Sequence, residues 1–225
     1  MTGIPLSNPS TLLIVAFEGW NDAGDSATTA AQMIVDQSGH EPLLEIDPEE
    51  YFDFHMARPE VEQGPDGARF LVWPTVTLFD PPTGDDEAPY VLLGHEPSRL
   101  WKSFASQMVD HALSEGIEAI VFLGAMLADV PHSRPVRVTC TSDDQAIRDH
   151  FDIEKSGYEG PVGVLTVLSL AAAEAGIPSL HLWAHVPHYV HTSPSPKVTL
   201  ALLEELQNRV GISTDRTDLE LEAMR

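Results

Sequence analysis

Apolar residues in this chain gather in short solid runs, separated by stretches where they recur every three or four positions. That is the alternation of buried strands with amphipathic helices. The run at 119–123, rich in branched residues and closed by Gly124, suits a strand covered on both faces, and 11–17 reads in the same way. Further strands are expected at 42–46, at 70–79 with an interruption at Pro74, at 90–93 and at 179–184. The segment 136–141 alternates as an exposed edge strand does. Between them, Ala30, Met33 and Ile34 predict a helix over 26–37. Leu100, Trp101, Phe104, Met108 and Ala112 form one face of a second helix, which Ser98 would cap and Glu115-Gly116 would end. Ser142 would cap a short acidic helix running to His150. A nearly all-apolar, buried helix is expected over 164–175, and a last one over 197–210 stops at Gly211.

Strands alternating with helices along the whole length indicate the α/β class: a three-layer α/β/α arrangement with a mostly parallel sheet. One domain is expected over 1–225, with an irregular, acidic and aromatic excursion at 47–67 and a charged tail at 212–225. In open parallel sheets, binding groups gather beyond the carboxyl ends of the strands, so 125–135 is where function is expected.

Composition narrows the partners. Twelve Lys plus Arg against 35 Asp plus Glu give a net charge of -23, whose field repels phosphate backbones and anionic lipid, so neither nucleic acid nor membrane is expected as a partner. A lone Cys140 forms no internal disulfide. No signal-peptide pattern opens the chain, and its longest apolar run, 162–173, is broken by Gly163, Thr166 and Ser169. A cytoplasmic protein is expected.

The candidate chemistry lies in loops. Glu18, Trp20, Asn21 and Asp22 follow the first strand and offer two carboxylates and an amide; glycines for a tight turn, Asn21 or Asp25 as a helix cap and Trp20 for packing would account for much of the loop. Asp129, His132, Ser133 and Arg134 supply the ingredients of a nucleophile and base, but no G-x-S-x-G surrounds any serine. Arg134, a scarce cation here, is expected to pair with Glu18 or Asp22. The turn at 157–163, with Tyr158 and Glu159, could hold an anion on backbone N–H groups. Pro161 removes one donor, however, and neither a Walker lysine nor a G-x-G-x-x-G is present. His181, His185, His188 and His191 match no defined zinc pattern. No catalytic residue, metal or cofactor is assigned. Glu18, Trp20, Asn21, Asp22, Asp129, His132, Arg134, Tyr158 and Glu159 form a candidate ligand or partner surface. The alternative reading is an enzyme or small-ligand binder whose polar loops converge in one pocket.

The stretches FEGWNDAGDSA, HEPSRLWKSF, LGAMLADVPHSRP, YEGPVGVL, LWAHVPHYV and SPKVTLALL together resemble the proteasome assembly chaperone family, in particular its bacterial (actinobacterial) members. The resemblance implies a fold like that of purine nucleoside phosphorylases, a non-catalytic chaperone role and proteasome subunits as partners. Relatives that dock on the proteasome often end in a hydrophobic residue, tyrosine and any residue. This chain reads Glu222-Ala223-Met224-Arg225 there, so docking through the tail is not expected. A homo-oligomer, specifically a trimer, is expected because Tyr51, Phe52, Phe54 and Met56 would otherwise lie exposed in an irregular segment.

Overall fold

The computed structural model describes residues 6–84, 87–189 and 194–224. Its strands are β1 (Leu12–Glu18), β2 (Glu41–Glu45), β3 (Glu60–Gln63), β4 (Arg69–Val72), β5 (Val76–Asp80), β6 (Tyr90–His95), β7 (Ala119–Ala128), β8 (Val138–Thr141) and β9 (Ser179–Pro187). The helices are α1 (Ser26–Ser38), α2 (Pro48–Tyr51), α3 (Trp101–Ser114), α4 (Gln145–Phe151), α5 (Val164–Glu174), α6 (Pro196–Val210) and α7 (Thr217–Ala223).

The solid apolar runs are solid because both sheet faces are covered. Along β1, Leu12, Ile14 and Ala16 enter one core with α1 and α6, while Leu13, Val15 and Phe17 enter the other with α3 and α5. Strand β7 divides in the same way, Val121 and Leu123 to one side, Ile120 and Phe122 to the other. The result is a mixed α/β architecture with helices on both faces of a seven-stranded sheet, ordered β2-β5-β6-β1-β7-β9-β8. Its four central strands, β6, β1, β7 and β9, are parallel; β5 and β8 run antiparallel to their inner neighbours, and β2 pairs antiparallel with β5.

The structure differs from the sequence reading in several places. Strand β7 does not end at Gly124; it continues to Ala128 because β9 pairs with it from Ile120 to Ala128, so the loop begins later than expected. Pro74 splits 70–79 completely: β5 joins the main sheet, whereas β4 pairs with β3 in a separate two-stranded ribbon. The 47–67 excursion is therefore not irregular throughout. It holds α2 and β3, and it delivers Tyr51 and Phe52 to the core, where Tyr51 meets Phe104 edge-on at 5.6 Å. These two aromatics are core residues and not an exposed surface.

Ser98 does not cap α3. Leu100 precedes the helix in the left-handed region (φ 56°), and the Ser98 N–H donates to the Tyr51 carbonyl at 3.0 Å. Asp144, not Ser142, caps α4 by accepting from the Ile147 N–H at 3.0 Å. The charged tail contains α7 and is held down. Gln37 donates to the Asp215 carbonyl at 2.7 Å and accepts from the Asp215 N–H at 2.6 Å, and Ile212 and Leu219 are buried. Arg225 lies outside the described residues. Among those described, no helix is long and apolar enough to cross a membrane.

Candidate functional site

The loops at the carboxyl ends of β1 and β6 meet beside β7 and the start of α5, at the edge where parallel strands gather such loops. Asp22 is buried, and its carboxylate closes the N-terminus of α1. Oδ1 accepts from the Ala27 N–H at 2.6 Å, and Oδ2 accepts from the Thr28 N–H at 3.1 Å and from the Thr28 hydroxyl. Burial raises its pKa, against the lowering effect of these bonds. Asn21, also buried, accepts through its backbone carbonyl from the Ala125 N–H at 2.8 Å, which fastens the first loop to β7. Its side-chain amide donates to Glu96 Oε1 at 3.1 Å, and the same oxygen accepts from the Val164 N–H at 2.8 Å, at the start of α5. Burial raises the Glu96 pKa as well. Gly163 is a close-approach glycine: a Cβ there would overlap the Asn21 amide and lie 2.7 Å from Glu96 Oε1.

Glu18 leaves β1 beside His95 at the end of β6, with Oε2 3.0 Å from Nε2 and both side chains half exposed. Burial raises the Glu18 pKa and the facing His95 opposes that shift. His132 is tied to the segment after β9: its backbone N–H donates to the Tyr189 hydroxyl at 2.8 Å, and its Nδ1 lies 2.9 Å from the same oxygen. Asp129, Arg134 and Glu159 are exposed. Arg134 does not brace the first loop as expected, because Asp22 is committed to α1 and Glu18 to His95. Tyr158 is exposed, with its hydroxyl donating to the Pro161 carbonyl at 2.9 Å. The candidate residues thus divide. Glu18, Asn21 and Asp22 converge with two groups the sequence reading missed, His95 and Glu96; Asp129, His132, Arg134 and Glu159 sit on the outer loops. The signal for His95 and Glu96 was present, since they directly follow a strand, but only the strand order reveals that this strand adjoins β1.

Two of the four histidines, His181 and His185, are bonded within the fold. His181 lies flat on Phe122 (4.9 Å, 16°), and its Nε2 is 2.9 Å from the Ser169 hydroxyl; burial pushes its pKa down to about 4. His185 Nε2 lies 2.8 Å from the Thr139 hydroxyl. His188 is exposed, and His191 lies outside the described residues. Among those described, no three His, Cys, Asp or Glu side chains are placed to hold a metal. Open depressions of about 720 and 450 Å³ lie on the outer face of α3 and beside Met33, Gln37 and Leu219, away from the loops above.

The pattern of the PAC2 family matches residues 16–225. The chain belongs to the PAC2 family. It is similar to a PAC2 family protein from Streptomyces avermitilis, at 39% identity over 95% of this chain and 91% of that one, with a TM-score of 0.87. A Mycobacterium tuberculosis proteasome-assembly chaperone homologue is 36% identical over 95% and 91% of the two chains, with a TM-score of 0.85. Pyrococcus furiosus PbaB, an archaeal proteasome activator, shares the fold at 16% identity (95% and 88% covered, TM-score 0.69). No curated protein matches.

In this PAC2 chain the carboxyl edge exposes several apolar side chains among its charged ones. Trp20 is 73% exposed and Tyr158 66%, with Met126, Leu127, Val162 and Tyr189 also exposed. The bonds already described bring three of these segments together: Trp20 adjoins Asn21, which touches Gly163 beside Val162 and bonds to Ala125 beside Met126. So Asn21, Asp22 and Glu96 are paired inward, while the surface mixes exposed aromatic and aliphatic side chains with the charged Asp129, Arg134 and Glu159.

Proposed function

We propose that the protein is a non-catalytic, protein-binding member of its family that associates with proteasome subunits and with copies of itself. The observation that carries this reading is the filling of two helix N-termini at the carboxyl edge by the chain's own carboxylates, Asp22 on α1 and Glu96 on α5. A helix N-terminus in this position is a ready anion site, and here the Ala27, Thr28 and Val164 N–H groups are already taken by the chain's own carboxylates. The exposed Trp20, Met126, Leu127, Tyr158, Val162 and Tyr189 have instead the aromatic and apolar make-up of an interface centre. The proteasome enters as partner class through the relatives' own descriptions. We read the layers as purine-nucleoside-phosphorylase-like, which superposition on such an enzyme tests through its strand order, and the setting as cytoplasmic.

The experiment is co-elution of the purified chain with cognate proteasome α subunits in gel filtration. Co-elution of the wild type, lost in a Trp20→Ala/Leu127→Ser variant of unchanged thermal stability, is the expected result. Co-elution unaffected by that variant would remove the carboxyl-edge surface from the reading.

A further inference from the structure

The two faces of the sheet are not covered equally at its β9–β8 side. Strand β9 sends Leu180, Leu182, Ala184 and Val186 into the core with α6, so alternation turns His181, Trp183 and His185 to the opposite face, that of α3 and α5. The register sets these three in rows across β7, β9 and β8. His181 stands between Phe122 and Thr141, and Trp183 between Gly124 and Thr139. His185 stands between Met126 and Arg137, whose carbonyl accepts from the His185 N–H at 2.9 Å. Helix α5 reaches the first row, where the Ser169 hydroxyl meets His181. The other two rows stay partly bare. Arg137 is exposed, Met126 is 37% exposed, and Thr139, Trp183 and His185 are half-buried, whereas Ala184 and Val186 behind them are fully buried. The bare rows are ordered: His185 Nε2 lies 2.8 Å from the Thr139 hydroxyl, and the Trp183 ring lies over Gly124, where a Cβ would come within 2.5 Å of it.

Charge separates this region from the rest of the molecule. No Asp or Glu occurs in 130–142 or in 175–203, in a chain with 35 of them, and Asp129 is the only carboxylate in 119–142. The two segments lie together, joined by the β8–β9 pairing and by the His132 N–H donating to the Tyr189 hydroxyl. They bring Arg134 and Arg137 to the border of the bare rows.

We propose that this part of the sheet receives one amphipathic helix of a partner protein, its apolar side on Met126 and Trp183 and its carboxylates along the flank that meets Arg137 and Arg134. The proposal rests on the protein-binding reading above and names the face and the partner's chemistry. Three strands about 4.8 Å apart present the width of one helix, about 10 Å, and α6 lies against β9 and β8 in the same way from the other side. Tryptophan and arginine are the side chains that most often anchor such contacts, and a guanidinium can pair with a carboxylate through two parallel bonds. Over the rest of the surface a net charge of -23 repels an acidic helix, which confines it to this face. A phosphate backbone would meet the arginines and leave the indole uncovered.

Fluorescence anisotropy of the full chain with a labelled helical peptide, leucine on one side and glutamate on the flanks, tests this at low ionic strength. The wild type is expected to bind it. Affinity should fall about tenfold in Arg137→Glu and in Met126→Asp, each at unchanged thermal stability, and stay the same in Lys102→Glu, which makes an equal charge change on the outer face of α3. No binding by the wild type, or equal losses in Arg137→Glu and Lys102→Glu, would overturn the proposal. Co-elution with cognate proteasome α subunits separates it from the reading it rests on. A complex that Arg137→Glu keeps would overturn this face and leave the partner class standing. Absence of a wild-type complex, with the peptide results as expected, would overturn the partner class and leave this face standing.

Discussion

Glu96 Oε1 serves two donors at once, the Asn21 amide and the Val164 N–H, and a neutral amide oxygen can serve them equally well. Because burial works against the charged form of Glu96, Glu96→Gln is expected to leave stability nearly unchanged at neutral pH. Glu96→Ala strands both donors and should lower unfolding free energy by about 2 kcal/mol in denaturant titrations. A glutamine variant as damaging as the alanine would show that the charge itself matters. His181 gives the pH counterpart. Below its ordinary value of 6.5 the unfolded chain protonates this histidine, while the folded chain, held near 4, does not. Its contribution therefore falls away as pH drops from 6.5 towards about 4 and levels off below, a loss on the order of 3 kcal/mol. The stability difference between wild type and His181→Gln, measured at pH 7 and pH 4.5, should move against the wild type by most of that amount. A pH-independent difference would refute the buried neutral state. Of these residues the sequence revealed only the types: a cap was expected at Asn21 or Asp25, whereas Asp22 between them closes α1. The sharing of Glu96 between two distant segments leaves no local pattern.

Among the elements, the strands were legible where both faces are covered, as in β1 and β7, because continuous apolar runs have few other uses. Pro74 was legible as a break but not as a parting of ways, since the partner of β4 is decided by the turn at Gly64–Ala68 and not by β4's own composition. The far end of β7 was missed for a related reason. Met126 and Leu127 are strand residues by pairing with β9, yet exposed, so burial gave them no signature. Charge likewise hid α7: Asp218, Glu220 and Glu222 dominate its sequence, while the anchor is Leu219 with Ile212 ahead of it. Removing 212–225 is therefore expected to cost about 2–4 kcal/mol of stability through the two lost apolar anchors, read as a fall in the denaturation midpoint. An unchanged midpoint would mean that the tail is not bound to α1 and α6 in solution.

Across the whole molecule, charge and burial assign the surfaces different roles. A net charge of -23 disfavours anionic partners everywhere, and two helix N-termini that might have drawn a small anion are already occupied by Asp22 and Glu96. What the carboxyl edge offers outward includes the apolar side chains of Tyr158, Trp20, Leu127 and Tyr189 beside the charged Asp129, Arg134 and Glu159. The sequence pointed to this edge and suggested polar chemistry there, because side-chain types are visible in a sequence and the direction they face is not. Hydrogen exchange of the chain alone and bound to cognate proteasome α subunits reads that edge most directly. Slowed exchange at 19–22, 126–135 and 158–162, with the outer face of α3 unchanged, is the predicted result; protection confined to α3 or to the tail, in a demonstrated complex, would contradict it.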